Sequence, residues 1–258
     1  MGAKGQGFRV TCVQHNSKMP PLDKRANLLD DLAMIMTTTD PLPLEEAEAR
    51  APLHEAIYQA LRARLATGAF APGESLSLRS LASELGGSVT PVRDAVWRLT
   101  AEHALTIGPT RRITVPEMNQ AGIGELMRAR ALLEPEAAAR ALPFMTPSQI
   151  ATMLNANAAM NTALRTGDIV GYMASNHAFH FALYRACPST VIVPMIDGIW
   201  VRFGPFMRLM FPEAVNELDL SDRHGDALAA IEAGDAESLR AAIAADVGDG
   251  LEWMLKAR

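Results

Sequence analysis

Two short stretches carry side chains whose types and spacing suit chemistry. In GSVTPVRDAVWRL, residues 87–99, small hydroxyls and a proline precede an arginine and an apolar stripe. Ser88 or Thr90 caps the free amides of a helix start, and Pro91 suits a first helical position. Ala95, Val96 and Leu99 recur at helical spacing and face a core, while Arg93 lies off that stripe. The plain reading is a surface arginine on an amphipathic helix. The sharper one is a helix whose N-terminal end enters a DNA groove. The second stretch, NHAFH at 176–180, sets an amide and an imidazole four residues apart on one helix face, as a shared ligand site requires. A single histidine there is ordinarily packing or surface, so the elements around both stretches have to decide.

The chain has 258 residues, 49% of them hydrophobic, enough for a full core and a division into two domains. No apolar run reaches the roughly eighteen residues of a membrane helix. The segment MGAKGQGFRVTCVQHNSKMPP lacks the apolar core of a secretory signal, and Gln6 stands where a myristoylation site has Ser or Thr. Two cysteines, Cys12 and Cys187, predict no disulfide framework and fit a reducing cytoplasm. The formal net charge of −5 argues against nucleic-acid binding by bulk charge but leaves room for a local basic face.

Residues 1–48 read as an extension: LLDDLAMIM (28–36) predicts one short helix, and TTTDPLPLEEAEARA a linker. From Pro52, Leu53, Ile57, Leu61 and Leu65 repeat every four residues and define a buried helix face ended by Gly68. AFAPGESL reads as a turn centred on Pro72-Gly73. Ser77 caps a second helix, LRSLASELG, with Leu78, Leu81 and Leu85 toward the core, and Gly86–Val89 form the turn into the third. ALTIG and RITV, joined by PTRR, predict a hairpin with a basic tip. Three short helices and this hairpin make a winged helix-turn-helix over 49–117. From Met118 the chain is alanine-rich with breaks at Pro143, Gly167, Pro188, Pro212 and Gly234. Helices are expected near 119–141, 147–165, 168–186, 190–210, 219–233 and 236–256, so the fold class is mainly α.

These strings resemble the GntR family of bacterial transcription regulators, in the FadR-like branch that carries an FCD ligand domain. LHEAIYQALRARLATGAFAPGESL, LRSLASELG and SVTPVRDAVWRL carry the resemblance in the first domain. RALLE (130–134), FH (179–180), His224 and AIEAGDAESLRAA (230–242) carry it in the second. The resemblance implies that Arg79 and Arg93 contact operator DNA, that Ser88 and Thr90 lie near phosphates, and that Arg111 and Arg112 form the wing tip. Helix-start amides and hydroxyls hold phosphate oxygens, and arginine binds a guanine edge bidentately. Val89 stands where the family commonly has an arginine, so the operator is expected to differ from the usual one.

FCD domains commonly hold a divalent metal with an Asp and a His four residues apart plus two later histidines. The matching positions here are Asn176, His180, His224 and Asp246. Two imidazoles and one carboxylate remain, with the carboxylate moved to another wall. Two readings stand open: a remodelled site for zinc, manganese or nickel, or a metal-free polar pocket for an effector. The resemblance also points Arg130 into the effector cavity, where a guanidinium favours a small carboxylate. His180, His224 and Arg202 join it as effector contacts, with Tyr172 and Arg208 as further wall candidates.

The resulting expectation is a cytoplasmic, homodimeric, ligand-responsive regulator, with repression the commoner mode. It would bind a palindromic double-stranded DNA operator and a small carboxylate effector, with no membrane partner. The alternatives are a DNA-binding dimer without effector or metal, and a metal-dependent hydrolase using His180, His224 and Asp246.

Overall fold

The computed structural model describes residues 44–217 and 223–256, with side chains over 52–208 and 223–250. The predicted helix at 28–36 lies outside the described residues. Helix α1 spans Leu44–Ala66, so the segment read as linker is already helical from Leu44. Its Ile57, Leu61 and Leu65 are buried as the four-residue spacing requires, whereas Leu53 is exposed, because the stripe outruns the small core beneath it. Helix α2 spans Leu78–Glu84, with the Ser77 side chain accepting from the Ser80 amide. Helix α3 spans Val89–Ala101 and buries Val92, Ala95, Val96 and Leu99.

The expected hairpin forms from β2 (Thr106–Ile107) and β3 (Ile113–Thr114). A third strand, β1 (Ser75–Leu76), pairs antiparallel with β3 on its other edge, Ser75 opposite Thr114. Two residues of strand inside AFAPGESL leave no periodicity to read, so the segment shows only its turn.

Six helices follow: α4 (Gln120–Ala141), α5 (Pro147–Thr166), α6 (Ile169–Tyr184), α7 (Ile192–Glu217), α8 (Arg223–Ala233) and α9 (Ala236–Lys256). Their ends fit local signals. Thr146 and Gln149 form a capping box at α5, and Gly167, at φ +71°, closes that helix in the left-handed conformation most side chains avoid. Pro212 does not break the chain; α7 runs through it to Glu217. A proline removes one backbone donor, and the rest of a long hydrogen-bond ladder still carries the helix.

Residues 51–258 form one compact unit, so the head and the helical bundle are packed together. The contact is backbone on backbone. A Cβ on Gly204 of α7 would fall 2.2 Å from the Leu65 carbonyl oxygen and 2.6 Å from that of Ala66. Gly204→Ala is therefore expected to push α1 from α7 and to lower stability by about 1–3 kcal/mol, read as a lower unfolding midpoint in denaturant. An unchanged midpoint would mean that this approach is not maintained in solution.

Candidate metal centre and nucleic-acid interface

The inner site lies where five helices meet. Helix α6 brings His180, α8 brings His224 and α9 brings Asp246; their ligand atoms all lie within 4.8 Å of one another. Nε2 of His180 is 3.3 Å from Oδ2 of Asp246 and 3.4 Å from Nε2 of His224, and Nε2 of His224 is 3.6 Å from Oδ1 of Asp246. A tetrahedral zinc with bonds of roughly 2.1 Å has ligand atoms about 3.4 Å apart, so the three donors fit such an ion without rearrangement. Burial alone would raise the Asp246 carboxyl, but the hydrogen bond from His180 and the positive charges of His180, His224 and Arg130 hold it well below the usual carboxylate range. It is thus an anionic donor. Asn176 is buried on α6 one turn before His180.

A second layer orients His180. Its Nδ1 lies 3.1 Å from the Tyr184 hydroxyl, which donates to Oε2 of Glu134 at 2.8 Å. With that proton committed, the hydroxyl oxygen accepts Nδ1–H of His180, so an ion that displaces the Nε2 proton would find the Nε2 lone pair facing His224 and Asp246. Burial and the Glu134 charge push the Tyr184 phenol well up, so it stays a donor.

Glu134 also accepts from Nε of Arg130 at 2.7 Å, from its Nη2 at 3.2 Å and from Trp200 Nε1 at 2.8 Å. Burial disfavours the Arg130 charge, yet the Glu134 charge and hydrogen bonds outweigh it and raise the guanidinium above its ordinary value. Arg130 also lies over the rings of Trp200 and Phe203, 4.7 and 4.8 Å from their centroids. Glu134 thus holds two of its three nitrogens, and Nη1 donates a weak hydrogen bond to the Met127 sulfur at 3.6 Å.

The other wall candidates separate. Burial, with the Asp246 charge adding, pushes the Tyr172 phenol up to about 12. Arg202 is half-buried on α7, and its Nε is enclosed with no hydrogen-bond partner among the described residues. Arg208 is exposed and lies beside Gly68, at the join of head and bundle. His177 stacks on Phe181 at 4.3 Å, and burial, with Arg185 and His180 adding, lowers it to about 4.

The outer face is built on α2 and α3. Arg79, Ser88, Thr90 and Arg93 are all exposed, and among the described residues neither arginine makes an ion pair. Ser88 is the cap residue of α3 by position, but its side chain makes no capping bond. The helix-start amides and the Ser88 and Thr90 hydroxyls therefore stay open to an anion. Val89 packs partly against the core. In the wing, Arg111 is exposed at φ +59°, where a non-glycine residue is strained, and Arg112 Nε donates to Ser75 Oγ of β1.

Glu134, Tyr184 and Trp200 were not singled out as site residues in the sequence. Glu134 follows Arg130 by four residues and Tyr184 follows His180 by four, a spacing that signals one helix face. Trp200 carries no such signal.

Residues 53–115 match bacterial regulatory proteins of the gntR family, and residues 125–249 match the FCD domain. The chain is 34% identical over 187 residues to the HTH-type transcriptional regulator McbR of Escherichia coli (strain K12), spanning 71% of this chain and 84% of that protein. The chain belongs to the GntR family. As a GntR regulator with an FCD domain it shares the fold of the solved E. coli McbR/YncC, with a TM-score of 0.71 at 31% identity over 79% of this chain and 97% of that one. A putative GntR regulator from Rhodococcus sp. RHA1 shares the fold at a TM-score of 0.65 and 20% identity, over 80% and 99% of the two chains. These families and relatives are transcription regulators and not enzymes, which removes the hydrolase alternative. Within the described residues, no helix is long and apolar enough to cross a membrane.

Proposed function

We propose that this GntR protein is a cytoplasmic homodimeric repressor that releases a palindromic operator when a small carboxylate enters its helical domain. Residues 49–117 form the DNA-reading head and 118–258 the effector and dimerisation domain. The observation that carries the effector half of this reading is the convergence of His180, His224 and Asp246 on one point. A divalent ion held by them, with Asn176 near on α6, would supply positive charge and an open coordination position for a carboxylate oxygen. Arg202 contributes charge from α7, and Arg130 offers its remaining Nη1.

Helix α7 links that site to the head. Trp200 bonds Glu134, and one turn earlier Asp197 lies 2.9 Å from Nη2 of Arg62 on α1. Arg62 also bonds the Tyr58 hydroxyl at 2.9 Å and lies 3.6 Å from Glu102, just past the end of α3. A shift of α7 on effector binding thus has a polar path to the recognition helix. An effector acts only through different affinities for two arrangements of the heads.

In the head, Arg79 and Arg93 supply the base and phosphate contacts, Ser88 and Thr90 hold phosphates, and Arg111 and Arg112 reach the minor groove. Arg93→Ala is expected to weaken binding to a duplex selected by the wild-type protein about tenfold or more, with an unchanged melting temperature. Binding unchanged from wild type in both Arg79→Ala and Arg93→Ala, measured by fluorescence anisotropy, would overturn this face as the reader. The reading without an effector has one observation in its favour, the engagement of Arg130 by Glu134. It expects no change in operator affinity on adding metals and small carboxylates.

A further inference from the structure

Six residues are exposed on α3: Thr90, Arg93, Asp94, Trp97, Arg98 and, at its last position, the small Ala101. Helix α1 claims one edge of this face. Asp94 lies 3.0 Å from Nδ1 of His54. Nη1 of Arg98 lies 2.7 Å from Glu55, and its guanidinium sits 3.5 Å from the Tyr58 ring centroid. What remains is a ridge of Thr90, Arg93 and Trp97, spaced three and four residues apart and about 10 Å long. Trp97 is 57% exposed and makes no hydrogen bond or ring contact among the described residues. The other tryptophan with a described side chain, Trp200, is fully buried.

We propose that Trp97 is a specificity residue of the DNA-reading face, packing its indole on a thymine 5-methyl group in the major groove. The inference rests on the DNA-binding reading above and extends it to a residue that reading does not use. The position follows from the ridge. Arg93 and Trp97 are about 6 Å apart along the helix axis, or about two base pairs, so Trp97 meets the pair next but one to that read by Arg93. The chemistry follows from the side chain. A flat apolar surface has no hydrogen-bond code for bases, but it distinguishes thymine by its methyl, the one apolar group on the major-groove edges. Val89 adds to the case. At the start of α3 this aliphatic residue packs partly against the core, so it offers no polar reader to the same groove.

The test is in vitro selection from a random duplex pool with the full chain, followed by replacement of each selected thymine by deoxyuracil, which removes the methyl alone. The wild-type protein is expected to lose about fourfold in affinity for each methyl removed at the Trp97 position. Trp97→Ala and Trp97→Gln should keep the wild-type melting temperature, bind the selected duplex about tenfold more weakly, and show no response to deoxyuracil there. The proposal is overturned if either variant keeps the wild-type sequence preference and methyl sensitivity. It is equally overturned if both weaken all duplexes alike with a shallower salt dependence, which marks a backbone contact. If the wild-type protein enriches no sequence at all, the DNA reading fails with it; selection by the wild type together with an inert Trp97 sinks this inference alone.

Discussion

Replacing Glu134 by leucine is expected to destabilise the protein by about 3–5 kcal/mol, because it strands the Arg130 charge inside the bundle. For a chain of this size that is a drop of roughly 6–20 °C in melting temperature. The magnitude follows from burial: Arg130 is 5% exposed and Glu134 not at all. Glu134 also accepts from Tyr184 and Trp200, so its loss leaves two further buried donors without a partner. A buried ion pair is not in itself a large source of stability, since desolvation offsets most of the attraction. The double variant Arg130→Met with Glu134→Leu is therefore expected to regain most of the loss. Calorimetric melts of the three proteins check this. A single variant that melts within a degree or two of wild type would show that no charge is stranded.

The second large effect concerns the His180, His224 and Asp246 centre. Protein purified without chelators or a histidine tag is expected to carry about one divalent ion per chain, as three convergent donors imply. Zinc in hundredfold excess over its dissociation constant should then stabilise the metal-free protein by about 2.7 kcal/mol. His180→Ala should abolish both results. Tyr184→Phe removes only the hydroxyl that orients His180, and it should weaken zinc binding about 10- to 100-fold while leaving the ligands in place. Asn176→Asp would add a second carboxylate and raise the preference for manganese over zinc. Elemental analysis and metal titrations followed by thermal shift measure all of these. A protein that stays metal-free after incubation with zinc, manganese and nickel would reduce the centre to a polar pocket.

Much of this molecule is written in short-range neighbours. The three head helices, the hairpin and the six bundle helices follow from residues three or four apart and from caps such as Ser77, Thr146 and Gly167, because helix starts, stops and buried faces are decided within a turn or two. The same locality placed Asn176 and His180 on one face. It did not reveal that α1 starts at Leu44, that Leu53 is exposed, or that α7 passes Pro212. Ser75–Leu76 became a strand only because β3 offered an edge.

The site divides in the same way. Sequence named His224 and Asp246 only through family resemblance, and their meeting with His180 depends on three separate helices packing together. Arg130 was read as a cation facing an effector, yet it is bound by Glu134, four residues on, beneath Trp200, seventy residues on. A side chain's type is local, but whether its charge is free or neutralised depends on which remote groups share its enclosure. Most helices, their buried faces and the family follow from local sequence; which polar groups meet follows from packing, because burial makes Glu134 accept from Tyr184 and Trp200 as well as from its neighbour Arg130.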